Sequence, residues 1–331
     1  MTSAPGFADI QDAARYLKGV AVHTPLLEAH AMGAALGCRL LVKAEVLQRT
    51  GSFKFRGAYN RIGRLSAEER ARGVVAYSSG NHAQGVAAAA TLVGTKSLIV
   101  MYSDAAAIKV ANTGVLGGEV LFCDRRNENW EEVTARLAAE RGLTPVTPCD
   151  DAHVIAGQGT VALELAAQAR DMGAVPDILV VPCGGGGLTA GCAMAAKALL
   201  PKVAVYGVEP AGFDDTARSI SAGQRVVNGA DAATICDALT VSTPAAMTFA
   251  INRKLVDGML TVSDPDVLAA MKRAFLDLKL VVEPGGAAAL AALLAGKLDV
   301  RGKTVAVICS GGNVDPAIFA RALQVGPGKG E

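Results

Sequence analysis

Val180-Val181-Pro182-Cys183-Gly184-Gly185-Gly186-Gly187-Leu188 decides how this chain is read: a short apolar run, four consecutive glycines, then a helical stretch ending near Leu200. A buried strand feeding a side-chain-free loop and a helix makes an anion cradle. Backbone N–H groups there approach phosphate oxygens closely, and the helix adds the positive end of its dipole. A plain flexible turn is the rival reading. Two nucleotide readings fail on single residues. The dinucleotide pattern G-x-G-x-x-G, attractive because Glu209 ends the next strand, needs a third glycine where Thr189 or Ala190 stands. A nucleoside-triphosphate loop needs Gly-Lys followed by Ser or Thr, which this loop lacks.

Outward from the loop, apolar runs alternate with helical spacing. Upstream the predicted strands are Leu40 to Val46, Val74 to Tyr77, Ser97 to Met101 and Glu119 to Phe122. Between them, Gly57 to Leu65, Ala83 to Val93, Ile108 to Leu116 and Trp130 to Arg141 carry apolar residues three and four apart, predicting helices. After Pro148 the pattern restarts: a helix from Gln158 to Met172, strands Asp177 to Val181, Val203 to Val208 and Thr304 to Cys309, and a last helix Ile318 to Leu323 before a polar Gly-rich tail. Such alternation predicts parallel sheets covered by helices, and the restart predicts a second sheet.

With 331 residues, 51% hydrophobic and 19% charged, the chain has the composition of a compact enzyme of two domains or one enlarged domain. Its 32 basic and 31 acidic side chains leave a net charge of +1, no footprint for nucleic acid or an anionic membrane. The N-terminus has no signal pattern and no apolar run reaches membrane-spanning length, so a cytoplasmic protein is expected. Seven cysteines with no C-x-x-C pair suit neither a disulfide framework nor a zinc cluster.

A phosphate cradle without a nucleotide fingerprint suggests a phosphorylated coenzyme, and a lysine able to bond to it. Lys54, in Gly51-Ser52-Phe53-Lys54-Phe55-Arg56-Gly57-Ala58, lies among small and aromatic residues at the start of a helix, whereas Lys197, Lys254 and Lys297 sit in surface-like contexts. Alone, a lysine there is ordinarily a surface residue. A third feature is Ser78-Ser79-Gly80-Asn81-His82-Ala83-Gln84-Gly85, after a strand and opening a helix. Its small polar residues either cap that helix or hold a substrate carboxylate, and the sequence leaves both open.

These three segments in this order resemble the threonine dehydratase and serine racemase family of fold type II pyridoxal phosphate enzymes. Ala156-Gly157-Gln158-Gly159-Thr160, Val208-Glu209-Pro210, Val282-Glu283-Pro284-Gly285-Gly286-Ala287 and Ser310-Gly311-Gly312-Asn313 agree with it, so the likeness runs from about Val20 to about Phe319. The resemblance implies an α/β, tryptophan-synthase-β-like architecture of two mainly parallel sheets flanked by helices. A large coenzyme domain would comprise 1–68 and 151–331, and a small substrate-side domain 69–150. It implies pyridoxal 5'-phosphate on Lys54 as a Schiff base, Phe53 against a ring face, and the phosphate at Gly184, Gly185, Gly186, Gly187 and Leu188. Asn81 would meet the ring hydroxyl, Ser310 the pyridine nitrogen, and Glu283 the ring edge.

The same resemblance makes Lys54 the base for the α-proton and Ser79 the acid on the opposite face. It assigns Ser78, Ser79, Asn81, His82 and Cys149 to the amino-acid substrate. It implies Mg2+ or another hard cation on Glu209, the Phe213 carbonyl and Asp215, and a homodimer. The implied reaction is elimination of water from a 3-hydroxy amino acid, to a 2-keto acid and ammonia. The alternatives are a serine- or aspartate-type racemase and a catalytically silent binding protein on the same scaffold.

Three residues depart from the family. Pro is frequent where Tyr102 and Ala106 stand, and an aromatic residue or Asn where Cys149 stands. A thiol at 149 suggests a pocket wide enough for 3-phenylserine, or a residue that merely packs. Hydroxyaspartate would want a dedicated Arg, and sequence places none of Arg56, Arg125 or Arg126 in the pocket. The chain stops soon after the catalytic unit, so regulation by isoleucine through a further domain is not expected.

Overall fold

The computed structural model describes residues 3–105 and 107–326; Ala106 and the tail from 327 lie outside them. Its strands are β1 (Leu26–Glu28), β2 (Arg39–Ala44), β3 (Val74–Tyr77), β4 (Ser97–Tyr102), β5 (Gly118–Cys123), β6 (Thr144–Pro145), β7 (Ile178–Pro182), β8 (Ala204–Pro210), β9 (Gly258–Val262) and β10 (Thr304–Cys309). Six form one sheet in the order β1-β2-β10-β7-β8-β9, parallel except for β1 against β2. The other four form a parallel sheet in the order β5-β4-β3-β6. The larger sheet therefore combines an N-terminal strand pair with strands from beyond residue 177, and the smaller sheet is drawn from the chain between them.

The central strands β2, β7 and β10 are buried on both faces, which is why Leu40-Leu41-Val42, Ile178-Leu179-Val180-Val181 and Val305-Ala306-Val307-Ile308 run unbroken instead of alternating. Val74–Tyr77, Trp130–Arg141 and Thr304–Cys309 match the expected bounds. The helix expected from Gly57 spans Lys54–Ile62 and begins at Lys54 itself, because Arg56 in its first turn is buried although polar. The helix expected from Gln158 spans Ala152–Asp171, capped by the Asp151 carboxylate, which accepts from the Val154 N–H at 2.9 Å. Helix Pro284–Leu294 has no counterpart among the elements expected from sequence: it is buried almost all round, so its residues carry no polar face to mark a period.

Helix Lys54–Ile62 sends Phe55, Ala58 and Ile62 into a core shared with Val74, Ala76 and Ile99 of the smaller sheet. Its other neighbour is helix Ala152–Asp171. A Cβ on Gly157 would lie 2.7 Å from the Arg56 carbonyl oxygen, and one on Gly57 2.8 Å from that of Val154, so the two helices cross at backbone contact. This close crossing accounts for the glycines of Arg56-Gly57-Ala58 and Ala156-Gly157-Gln158, and it fixes where Lys54 starts its turn. No described helix is long and apolar enough to cross a membrane.

Candidate functional site

Lys54 opens its helix with Nζ donating to the Pro148 carbonyl at 2.9 Å and lying 5.3 Å from the centroid of the Phe53 ring. Desolvation holds its pKa below the ordinary lysine value, against the opposing pull of Cys149 and Glu283. An amine that sheds its proton readily is what a Schiff-base nucleophile or a general base needs. Beyond Pro148, Cys149 leans on the glycine loop: a Cβ on Gly185 would lie 2.5 Å from its sulfur. Burial pushes the thiol up to about 11, so it stays protonated.

Strand β7 delivers the glycine loop from the core, and Gly186, at φ 84°, precedes helix Gly187–Leu199. The N–H groups of Gly184, Gly185 and Gly186 donate to no described residue. From helix Ala246–Leu255, Thr248 Oγ1 donates to the Gly185 carbonyl at 2.7 Å and Asn252 Nδ2 to the Gly186 carbonyl at 3.2 Å. In a trans peptide the C=O and the following N–H point in opposite directions, so these two clamps aim the amides of Gly186 and Gly187 away from that helix. Free amides on a Cβ-less loop, with a desolvated amine nearby, fit a phosphorylated aldehyde coenzyme.

The capping reading of Ser78, Ser79 and Asn81 fails. Helix Asn81–Val93 has Gly80 as its N-cap with no side-chain cap, and Ser78 Oγ accepts from the Gly80 N–H at 3.1 Å instead. The Ser79 hydroxyl bonds to no described residue, and the first-turn amides of Asn81, His82 and Ala83 are left for a ligand. The His82 ring is buried with Nε2 2.8 Å from the Val146 carbonyl, and burial pushes its pKa down to about 3. It is neutral, Nε2 carries the proton, and Nδ1 has no partner among the described residues. His82 can thus serve a carboxylate through its backbone N–H, not its ring.

Asn81 Nδ2 donates to Glu283 Oε1 at 2.5 Å, and the Glu283 N–H donates to the Gly311 carbonyl at 3.0 Å. Burial, with Asp237 adding to it, pushes the Glu283 carboxyl up to about 8. Ser310, buried at the end of β10, accepts through its carbonyl from the Phe53 N–H at 3.1 Å, and Ser52 bridges to Gly311. Backbone bonding therefore gathers Phe53, Lys54, Glu283 and Ser310, and Asn81 joins them through its side chain.

Glu209 stands apart. It accepts from the N–H groups of Thr216 and Ala217, both at 2.9 Å, and burial pushes it up to about 8. Asp215 is pushed up to about 6 by burial; Oδ1 accepts from Asn228 at 2.6 Å and Oδ2 has no partner among the described residues. The Phe213 N–H donates to the Pro210 carbonyl at 3.0 Å, at the same turn. Among the described residues no cluster of three or more His, Cys, Asp or Glu could hold a metal. Of the three arginines considered from sequence, Arg56 is bound to Glu45 and Glu164 and Arg125 pairs with Asp104, whereas Arg126 is exposed and its guanidinium pairs with no described residue. Sequence reasoning missed the Pro148 carbonyl, Thr248 and Asn252, which no local pattern marks, and gave no role to Asn313.

A sequence profile of the family described as pyridoxal-phosphate dependent enzyme matches residues 18–311. The chain is 42% identical over 318 residues to a Pseudomonas sp L-threo-3-hydroxyaspartate ammonia-lyase, covering 96% of this chain and 98% of that protein. A solved threonine deaminase from T.th. superposes with a TM-score of 0.88 at 45% identity, covering 94% of this chain and 99% of the other. Maize serine racemase does so with a TM-score of 0.90 at 36% identity, covering 97% of each.

Proposed function

The chain belongs to the pyridoxal-phosphate dependent enzyme family, and from that premise we propose that it eliminates water from a 3-hydroxy amino acid of the L-threonine or L-serine type, giving a 2-keto acid and ammonia. The observation that carries this reading is the desolvated Lys54 amine, held by a neutral carbonyl beside a loop of unpartnered amides. The coenzyme, when bound, supplies an electron sink for the pair left at the α-carbon. Gly184 to Gly187 and Leu188 would hold its phosphate, Phe53 would lie against the ring, and Asn81, Glu283 and Ser310 would meet its polar edge. Lys54 takes the α-proton, and the first-turn amides after Gly80, with Ser78, hold the substrate carboxylate. The β-hydroxyl departs as water with the proton removed from the α-carbon, and a second water converts the resulting enamine to the keto acid and ammonia. Ser79, whose hydroxyl is uncommitted, is the group that returns a proton in the racemase reading, which a D-product assay tests.

For the side chain, we propose a neutral β-substituent as large as that of 3-phenylserine. The small side chain of Cys149 supports it, and Arg56 and Arg125 are both committed to ion pairs rather than to the second carboxylate named for the Pseudomonas protein. Comparing kcat/KM for threonine, serine, phenylserine and 3-hydroxyaspartate tests this: threonine or hydroxyaspartate preferred by far would overturn it. Loss of both turnover and visible coenzyme absorbance in Lys54→Ala tests the site.

The same proposal places a small domain at 69–150, closing on the remainder to exclude water. It makes the protein a homodimer, read out by light scattering, in a cytoplasm whose reducing conditions suit seven free cysteines. A hard cation on Glu209, the Phe213 carbonyl and Asp215 is supported by the unpartnered Asp215 Oδ2.

A further inference from the structure

We propose that Asn313 is a positioning residue that sets which end of the Asn81 amide faces the coenzyme. The relay starts at Thr50, a non-glycine residue at φ 61° four positions before Lys54. Its carbonyl can only accept. The Asn313 atom 2.7 Å from that oxygen must therefore be Nδ2, and the same nitrogen lies 2.7 Å from Asn81. A nitrogen with no lone pair to give requires an oxygen opposite it, so Asn81 presents Oδ1 to Asn313. Its Nδ2 is left on the far side, where it donates to Glu283 Oε1 at 2.5 Å and has one further hydrogen. A backbone carbonyl in the Lys54 turn thus dictates, through Asn313, that the coenzyme side of Asn81 is a donor.

The surroundings hold this relay rigid. The Gly312 N–H donates to the Gly51 carbonyl at 2.9 Å and the Phe53 N–H to the Ser310 carbonyl at 3.1 Å, so the segments carrying Thr50 and Asn313 are paired along their backbones. A Cβ on Gly51 would lie 2.5 Å from Asn313 Oδ1, so the amide is packed against a residue that has room for it only as glycine. A donor at Asn81 favours the ionised form of the coenzyme's ring hydroxyl, and an acceptor would favour the neutral form.

The inference rests on the coenzyme placement proposed above, and absorbance of the holoenzyme separates the two. Asn313→Asp puts an acceptor against the Thr50 carbonyl and Asn81, so Asn81 turns over. The ratio of visible to near-ultraviolet coenzyme absorbance then falls roughly tenfold, as expected for one hydrogen bond to an ionised group. Asn313→Ala, which frees Asn81 without repelling it, shows a smaller shift in the same direction. In an Asn81→Ala background neither substitution moves the ratio. A wild-type ratio in Asn313→Asp overturns the proposal. So does loss of coenzyme in Asn313→Asp with an unchanged ratio in Asn313→Ala, which marks a merely structural residue, and so does a shift that persists without Asn81. If instead Lys54→Ala keeps the visible band, the coenzyme placement itself is wrong.

Discussion

Replacing Arg56 by Met removes one charge from a buried set of four. Arg56 donates to Glu45 twice at 2.8 Å and to Glu164 at 2.7 and 2.8 Å, while Lys43 donates to Glu164 at 2.9 Å. Arg56, Glu45 and Lys43 are fully buried, and Glu164 is 16% exposed. Two cations face two carboxylates, so the set is neutral; without Arg56 it carries a net negative charge away from water. Stranding one partner of a buried pair costs about 3–5 kcal/mol. At about 2–4 °C per kcal/mol for domains somewhat smaller than this chain, the melting temperature should fall by roughly 10 °C. Arg56→Met/Glu45→Gln leaves the neutral Lys43–Glu164 pair and should recover most of that loss, a coupling of about 2 kcal/mol or more. Thermal melts followed by circular dichroism, repeated at high salt to show that the pairs are shielded from screening, measure both quantities. A loss under about 1 kcal/mol, or strictly additive effects in the double variant, refutes the reasoning.

Gly186→Ala should weaken coenzyme binding about tenfold or more and lower stability by about 1–3 kcal/mol. It forces a side chain onto φ 84° and brings a Cβ within 2.7 Å of Asn252 Nδ2; coenzyme titration and a melt check it. Because burial raises Glu283 from 4.5 to about 8, Glu209 likewise to about 8 and Asp215 from 3.8 to about 6, the folded chain keeps protons that the unfolded chain releases. Stability should therefore fall as the pH rises from about 4 towards 8, and Glu283→Gln should flatten that slope in urea titrations across the range. Added Mg2+ should flatten the part due to Glu209 and Asp215, and a profile indifferent to Mg2+ counts against a cation there.

What was legible in the sequence is what chemistry writes contiguously. The glycine run, the segment around Lys54 and the segment from Ser78 to Gly85 each show their composition within a few residues, and the structure carries all three on the elements that adjoin them. What was not legible is contact between distant residues: Thr248 and Asn252 hold the loop from a helix some sixty residues later, and the Pro148 carbonyl meets an amine 94 residues earlier. Arg56 shows the same limit from the other side. Sequence could ask only whether it served a substrate, while the fold uses all of its donors on Glu45, Glu164, Thr160 and the Val22 carbonyl.

Two lysines near that arginine, Lys43 buried and Lys54 half-buried, sharpen the point. Base rates make any single lysine a surface residue, yet Lys43 and Lys54 both lose solvent, and desolvation lowers both. Lys43 has a carboxylate at 2.9 Å that answers its charge, together with the Thr24 carbonyl and Gln168, so its ammonium is structural. Among the described residues Lys54 has only the neutral Pro148 carbonyl within hydrogen-bonding distance, and the nearby carboxyl of Glu283 is itself pushed up to about 8. Of two desolvated amines, the one without an ionised partner loses its proton at the lower cost, and that difference is what supports Lys54 over Lys43 in the proposed role.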